Sequence, residues 1–381
     1  MIKIGLLLPR SVIYPSINFD IVDGMRAGLL HYGCEESQIV TASIGIAAKN
    51  DEVYARCEQL LMDGVDVVVA YVNPSTAEFI HPLFTGSGKM LIVLDSGMHY
   101  PSFQKLSNAI FISLQGTLCC RVSARLAVRS GTFANAFTCS FYDAGYRTSL
   151  AFTDSLDRAG GSIVFNHVTS LKRSEFSLEP LANHLRENPA HGVLAGFCGD
   201  MAEDFFKAGK ELDLFAKYTI WGSPYMTEEL WLDKMPYPGG SMKTSVTWAR
   251  SLDNPENQAF KQALNKPGKA NIFSVIAWEA AALIAEAAEN LSAEAATAKW
   301  SGNHFQGPRG KLFVNPDTHF VEAPVYLAEV NKQTESEYCR LDILSEADCT
   351  EDERALLQEN IVLLSNEVLN SWYNAYPCLD S

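Results

Sequence analysis

Three short turns carry the residue types best suited to gripping a small polar molecule. The first runs from Pro9 to Phe19 and offers Ser11, Tyr14, Ser16 and Phe19. The second is Asn73-Pro-Ser-Thr76, and the third is Asp95-Ser-Gly-Met98. Each follows a short apolar run. In a parallel sheet that is where ligands settle, outside the carboxyl ends of the strands. Hydroxyls and carboxylates there can hydrogen-bond a ligand, and a helix start adds backbone N–H groups for a carboxylate or amide oxygen. The simpler role for Ser75 or Thr76 is to cap the helix that follows.

Other chemistries find little support. The first turn lacks the G-x-G-x-x-G that cradles a dinucleotide pyrophosphate. Gly86-Ser-Gly-Lys89 resembles the end of a phosphate loop, but Met90 stands where Ser or Thr would bind magnesium, and a helix precedes it where one should follow. There is no G-x-S-x-G elbow, H-E-x-x-H or C-x-x-C. The eight histidines are dispersed, without metal-ligand spacing. Vicinal Cys119 and Cys120 fall on a helix, where adjacent side chains diverge, so they read as buried filler. No cofactor is expected.

The elements that position these turns alternate strand and helix. Residues 3–8, 65–70, 90–94 and 108–113 read as strands, and the β-branched run 65–70 is too apolar to be half exposed, so it reads as a central parallel strand. Residues 21–30 and 117–126 read as helices between them. A second series begins at residue 134, with strands at 134–139, 162–165, 192–195 and 218–221 and helices at 146–159, 178–188 and 201–207. This is a second doubly wound sheet. The Ala-rich segment 273–287 has strong helix propensity and suits close packing. Residues 324–330 form a further strand. The acidic stretch 335–353 reads as a surface loop. Thr350-Glu-Asp-Glu353 has the form of a capping box, opening an amphipathic helix to about residue 373 whose stripe is Leu357, Ile361, Leu364, Val368 and Trp372. Such a stripe packs on its own domain or forms a dimer or partner surface.

At 381 residues the chain is long enough for two domains. Thirty basic residues against forty-five acidic ones give a net charge of −15, which disfavours nucleic acid. No apolar run approaches the roughly 20 residues of a membrane span, so no membrane insertion is expected. Met1 opens directly onto the first strand without a leader-type segment. The nine cysteines lie mostly inside regular elements. Both point to the cytoplasm, the alternative being a periplasmic protein whose signal peptide has been removed.

The three turns, taken with Ser140-Phe-Tyr-Asp-Ala-Gly-Tyr146, Gly196-Phe-Cys-Gly-Asp200, Trp221-Gly-Ser-Pro-Tyr225, Phe273-Ser-Val-Ile-Ala-Trp-Glu-Ala280 and Gly307-Pro-Arg-Gly-Lys-Leu312, resemble the type 1 periplasmic-binding fold. The branch is the leucine/isoleucine/valine-binding group of ABC-importer solute receptors, which includes cytosolic amide sensors. The resemblance covers about residues 3–330 and rests on the order and spacing of these motifs. It implies two doubly wound parallel-sheet lobes joined by a three-strand hinge, with the ligand cleft between them. The crossings are expected near 113–117, 244–249 and 320–323. The N-terminal lobe is then 1–115 plus 248–321, the C-terminal lobe 116–247 plus 322–349, and 350–381 a helical extension. The resemblance also implies an early disulfide, for which Cys34 and Cys57 are candidates in an oxidising compartment.

Lobe one is expected to contribute Tyr14, Ser16, Ser75, Thr76, Asp95 and Ser96, with Phe273 as an apolar wall. Lobe two contributes Tyr142, Asp143, Phe197, Asp200 and Tyr225. By resemblance, the turns at 73–76 and 95–98 hold the ligand's carboxylate and ammonium groups. The turn after Trp221 departs from the amino-acid receptors, for Trp221-Gly-Ser-Pro-Tyr-Met226 has no carboxylate where they place one. Either Asp95, Asp143 or Asp200 substitutes, or the ligand is not an α-amino acid, because a buried unpaired ammonium is too costly. The function expected is non-catalytic binding or sensing of a small polar ligand, an amino acid, amide or related metabolite, by hinge closure. The partner is an ABC permease if the protein is exported, or a cytosolic regulatory partner if not. The alternatives are a ligand-free structural subunit and an enzyme using a nucleotide sugar in the same cleft.

Overall fold

A computed structural model describes residues 1–46, 48–101, 105–140, 145–170, 172–266 and 268–365. The chain opens with β1 (Lys3–Pro9), α1 (Ile17–His31), β2 (Gln38–Gly45), α2 (Asn50–Met62), β3 (Val67–Tyr71), α3 (Pro74–Ser87), β4 (Met90–Asp95) and β5 (Ala109–Ser113). It continues through α4 (Gly116–Arg129), β6 (Ala134–Ser140), α5 (Gly145–Arg158), β7 (Ser162–Thr169), α6 (Glu179–Glu187), β8 (Gly192–Gly196), α7 (Gly199–Glu211), α8 (Leu214–Lys217), β9 (Ile220–Gly222), α9 (Glu229–Leu232) and β10 (Met242–Val246). The remainder is α10 (Pro255–Ala263), α11 (Ile272–Glu286), α12 (Ala293–Trp300), β11 (His304–Gly307), β12 (Gly310–Val314), β13 (Phe320–Glu322), β14 (Tyr326–Lys332), β15 (Cys339–Glu346) and α13 (Thr350–Ser365).

Two sheets result. The first has the order β11-β12-β13-β5-β4-β3-β1-β2, the second β15-β14-β10-β9-β8-β6-β7. Strands β1 to β5 pair parallel, as do β6 to β10, and the later hairpins add antiparallel edges. The chain changes sheet between β5 and β6, between β10 and β11, and between β13 and β14.

The apolar strands are covered on both faces, as their composition requires. Ile4, Leu6, Val67 and Val69 pack towards α1 and α11. Their neighbours Leu7, Val68 and Ala70 pack towards α2 and α3. Helices α1 and α11 approach closely at two glycines of α1. A Cβ on Gly24 would lie 2.3 Å from the Ser274 carbonyl oxygen, and one on Gly28 would lie 2.7 Å from the Ala281 Cβ. Asn271 caps α11 by accepting from the Phe273 and Ser274 backbones, at 2.9 and 3.1 Å, and the Ser274 hydroxyl returns the bond. Arg309 then staples α11 to the end of β5, gripping Glu279 with Nε 3.0 Å from each carboxylate oxygen and donating to the Ser113 carbonyl at 2.7 Å.

Several expectations are corrected. Residues 339–346 are no loop, for β15 pairs antiparallel along β14. Cys34 and Cys57 are unbridged thiols on opposite faces of the first sheet, Cys34 against the α1/α11 side and Cys57 within the α2/α3 side. Thr350-Glu-Asp-Glu353 forms no capping box, because the buried Glu353 carboxylate is taken by Arg121 Nε at 2.9 Å and by Arg125 Nε at 2.5 Å. Leu357 and Ile361 of the α13 stripe pack on the chain's own Leu118, Val122 and Tyr100 clusters. Val368 and Trp372 lie outside the described residues.

Candidate functional site

The loop from β1 to α1 is folded by its own serine. The Ser11 hydroxyl accepts from the Ile13 and Tyr14 backbones at 3.2 and 3.1 Å, a local turn that competes well with continued strand. That turn directs the buried Tyr14 ring onto Phe273, edge to face at 4.9 Å, and towards Trp231 of the second lobe at 6.4 Å. Tyr71, the last residue of β3, meets Phe273 from another side at 5.9 Å. Edge-to-face arrangements are favoured by the ring quadrupoles.

The Asp95-Ser-Gly turn is pinned just as firmly. Asp95 accepts from the Gly97 backbone at 2.8 Å, and the Ser96 hydroxyl accepts from the Met98 backbone at 3.3 Å. Across the lobe junction, the Tyr225 hydroxyl donates to the Ser96 carbonyl oxygen. Burial pushes the Tyr225 phenol well above its ordinary pKa, with Tyr71 and Asp95 acting in the same direction, so it remains a protonated donor. The second close approach between the lobes is at Gly199. Its φ is +55°, and a Cβ there would stand 2.7 Å from Ile13 Cγ2. Tyr14, Tyr71, Met98, Cys198, Tyr225 and Phe273 thus share one buried apolar cluster.

The other expected residues are placed differently. Ser16 donates to the buried Asp20 at 2.7 Å, which Lys269 meets at 3.2 Å. Asn73, not Ser75 or Thr76, caps α3, accepting from the Thr76 backbone at 2.8 Å. The exposed Ser75 hydroxyl donates to Asn73 at 2.8 Å, and the Thr76 hydroxyl to Asn50 at 3.0 Å. Phe197 belongs to the second-lobe core, between Phe205 at 5.2 Å and Phe176 at 5.9 Å. Asp200 is 52% exposed and pairs with Arg173 at 3.2 Å. Asp95 opens onto a cavity beneath α13. Tyr142 and Asp143 lie outside the described residues. Sequence reasoning missed Tyr71, Trp231 and Cys198; the one available signal was that Tyr71 and Cys198 adjoin strand ends already singled out.

Two glutamates, Glu228 and Glu229, follow the turn at 221–226. Glu228 and Glu229 are both buried beside a cavity of about 30 Å³, room for a single water. Glu228 Oε2 accepts from the Leu230 backbone at 2.9 Å, while Oε1 has no hydrogen-bond partner among the described residues. Glu229 accepts from the Arg250 backbone at 2.8 Å, and the Arg250 guanidinium goes to Asp233 at 2.8 Å and the Ala270 carbonyl at 3.1 Å. Burial raises Glu228 to about 8 and Glu229 to about 7, outweighing the opposing pull of Arg250. Among the described residues, no group of three or more His, Cys, Asp or Glu side chains is arranged to hold a metal.

A family model described as "Periplasmic binding protein" matches residues 1–335. Relatives called Leu/Ile/Val-binding protein homolog 6, from Brucella abortus and Brucella suis, are 25% identical over 230 residues. That segment is 58% of this chain, and the chain spans 58% of the length of those relatives. A solute-binding protein of an ABC transporter from Rhodopseudomonas palustris HaA2, solved with p-hydroxybenzoic acid, superposes with a TM-score of 0.75. It is 21% identical, covering 91% of this chain and 96% of that one. An ABC transporter substrate-binding protein from Sphaerobacter thermophilus gives 0.76 at 18% identity, over 91% and 97%. At these identities the structures speak for the two-lobed fold.

Proposed function

Because this chain belongs to the periplasmic binding protein family, we propose that it is a solute receptor whose lobes close on a small molecule without catalysis. The observation that carries this reading is the Tyr225 hydroxyl on the Ser96 carbonyl. It joins strand-end turns of two separate sheets beside a buried cluster of aromatic rings. Closing and opening would make and break that contact as the three connecting segments bend.

The ligand we propose is a small carboxylate or amide with an apolar body. Tyr14, Tyr71 and Phe273 supply the apolar wall, and the backbone of the 95–98 turn supplies polar groups. Asp200 is engaged by Arg173 at the surface, and Glu228 and Glu229 are committed to backbone N–H groups, so none of them serves as the counter-charge for an α-ammonium. An α-amino acid would depend on Asp95 or Asp143 for that charge. The partner is an ABC permease, or a cytosolic regulatory partner if the protein stays inside the cell. All eight described cysteines are thiols, which supports a reducing compartment. No helix among the described residues is long and apolar enough to cross a membrane.

A thermal-shift screen of branched-chain amino acids, aliphatic and aromatic acids, amides and small sugars tests the reading. At a hundredfold excess over Kd, a ligand of the folded state adds about 2.7 kcal/mol of apparent stability. Acids or amides that raise Tm and reduce the radius of gyration in solution scattering support it. A rise with neutral leucine alone would favour the amino-acid ligand. Silence across the panel from folded protein would favour a structural subunit.

A further inference from the structure

Arg250 is held by both lobes at once. It lies where the chain leaves β10 for the first lobe. From the second lobe, Glu229 accepts its backbone N–H at 2.8 Å, and Asp233 takes the guanidinium at 2.8 Å. From the first lobe, Lys261 of α10 donates to its carbonyl at 2.8 Å, and Nε reaches the Ala270 carbonyl, just before α11, at 3.1 Å. The nearby Thr247 hydroxyl donates to the Leu114 carbonyl at 3.4 Å, tying this crossing to the one after β5. A change of lobe angle therefore works against the bonds of Arg250.

Two buried acids sit beside this residue. Glu228 and Glu229 line the cavity of about 30 Å³ together with Leu114, Thr247 and Trp248 of the two crossings. Two atoms here are buried without a hydrogen-bond partner among the described residues, the acceptor Glu228 Oε1 and the donor Arg250 Nη2. The charged groups facing the acids are Arg250, Asp233 and Lys261. Arg250 is engaged by Asp233, and Lys261 by the Arg250 carbonyl. The strand β15 presents Leu341 to the cavity, while its Arg340 and Asp342 pair with each other at 3.0 Å. Lys269, next to Ala270, is held by Asp20 and Asp23 at 3.2 and 2.8 Å. The two acids thus lack a cation of their own, and burial keeps them neutral up to about 8 for Glu228 and 7 for Glu229.

We propose that Arg250 is a proton-controlled rivet between the lobes, fastened while Glu228 and Glu229 are protonated and released when they ionise. The proposal rests on the receptor reading only in requiring lobes that open and close. With the acids neutral, the guanidinium spans Asp233 and the Ala270 carbonyl, as in this structure. With both ionised, two carboxylates compete with a neutral carbonyl for its donors, and charged acceptors make the stronger bonds. The first-lobe bond is then given up, and water enters between the crossings to hydrate the charge. In the open form the hydrated acids return towards the ordinary glutamate value of 4.5. The closed form is therefore the one that holds protons, and raising the pH favours the open form. Each proton released lowers the closed-to-open ratio by up to about tenfold per pH unit. A receptor built in this way grips its solute in neutral or acidic surroundings and loosens in alkaline ones.

The test is solution scattering of the full chain, without ligand, at pH 6 and pH 9, with circular dichroism at each pH to show that it is folded. The wild type is expected to have the larger radius of gyration at pH 9. The double change Glu228→Gln and Glu229→Gln keeps the shape and removes the charge, so that variant should stay compact at both pH values. Arg250→Met, still folded, should be expanded at both. Should the double variant not fold, Glu228→Gln alone is expected to show a smaller expansion than the wild type. A wild-type radius that does not change between the two pH values overturns the proposal. An expansion undiminished in the glutamine variants places the sensor elsewhere and overturns it too, as does one that comes with loss of helical signal, which is unfolding. Because no ligand is present, silence in the ligand screen would count against the receptor reading and leave this outcome standing.

Discussion

Two buried charge clusters, both next to segments that connect the lobes, are built in opposite ways. At the end of β5, Glu279 meets a fork-to-fork partner in Arg309, both are wholly buried, and the remaining guanidinium donor reaches the Ser113 carbonyl. After β9, Glu228 and Glu229 crowd a single Arg250 whose guanidinium is drawn to Asp233, leaving Glu228 Oε1 without a hydrogen-bond partner among the described residues. One carboxylate with one matched cation makes a fixed joint. Two carboxylates with a diverted cation make a joint whose charge is set by the solution, because protonation is cheaper than an uncompensated buried anion. The first cluster ties α11 to its sheet, and the second lines the same small cavity as Tyr225.

Breaking the matched joint should cost most. Arg309→Met leaves Glu279 buried without its cation, and denaturant melts should show a loss of about 3–5 kcal/mol at neutral pH. The same change at the other cluster should be milder, since its acids can take up protons. Arg250→Met is expected to lose about 2–3 kcal/mol at pH 8.5 and visibly less at pH 6; equal losses at both pH values would erase the contrast between the clusters.

The acids themselves give a sharper test. Glu228 at about 8 and Glu229 at about 7 stand above the ordinary glutamate value of 4.5 in the unfolded chain. The folded state therefore holds protons that the unfolded state releases. Their contribution to stability is full below pH 4.5 and is lost as pH rises through about 7 to 8. Tm measured from pH 6 to pH 9 should fall across that window, and Glu228→Gln should flatten the fall. The smallest effect belongs to the neutral contact above them. Tyr225→Phe removes one hydrogen bond to an oxygen that Gly116 N also reaches at 3.1 Å, so stability should drop by about 1 kcal/mol. The larger signature is in ligand titration, where Kd should rise severalfold.

The sequence displayed the interior better than the edges. Residues 67–70 and 90–94 were readable as central strands because both faces are buried and every position is apolar. Residues 339–346 were not, because β15 lies at the sheet edge within an acidic stretch, and the strand alternation of Cys339-Arg-Leu-Asp-Ile343 is short and lost after Leu344. At the site, Tyr14 and Phe273 could be named because they adjoin strand ends and helix starts. Phe197 occupies an equivalent-looking place, but its side chain turns into the second-lobe core. Chain order carries no record of which way a side chain turns at a strand end. The cavity beneath α13 was invisible for another reason. Asp95, Thr117, Glu322 and Arg354 are spread over more than half the chain, and only the crossings bring them together.

Those crossings also govern the order in which the molecule can be made. All five parallel strands of the second sheet lie within residues 134–246, one uninterrupted stretch. The first sheet pairs β5 with β13, whose partners Phe320 and Val321 follow more than 200 residues after Phe111 and Ile112. As the chain leaves the ribosome, the second lobe can assemble its parallel core while β5 still waits with an open edge, a site for misplaced strands. The first lobe to be translated is the last to complete its parallel core.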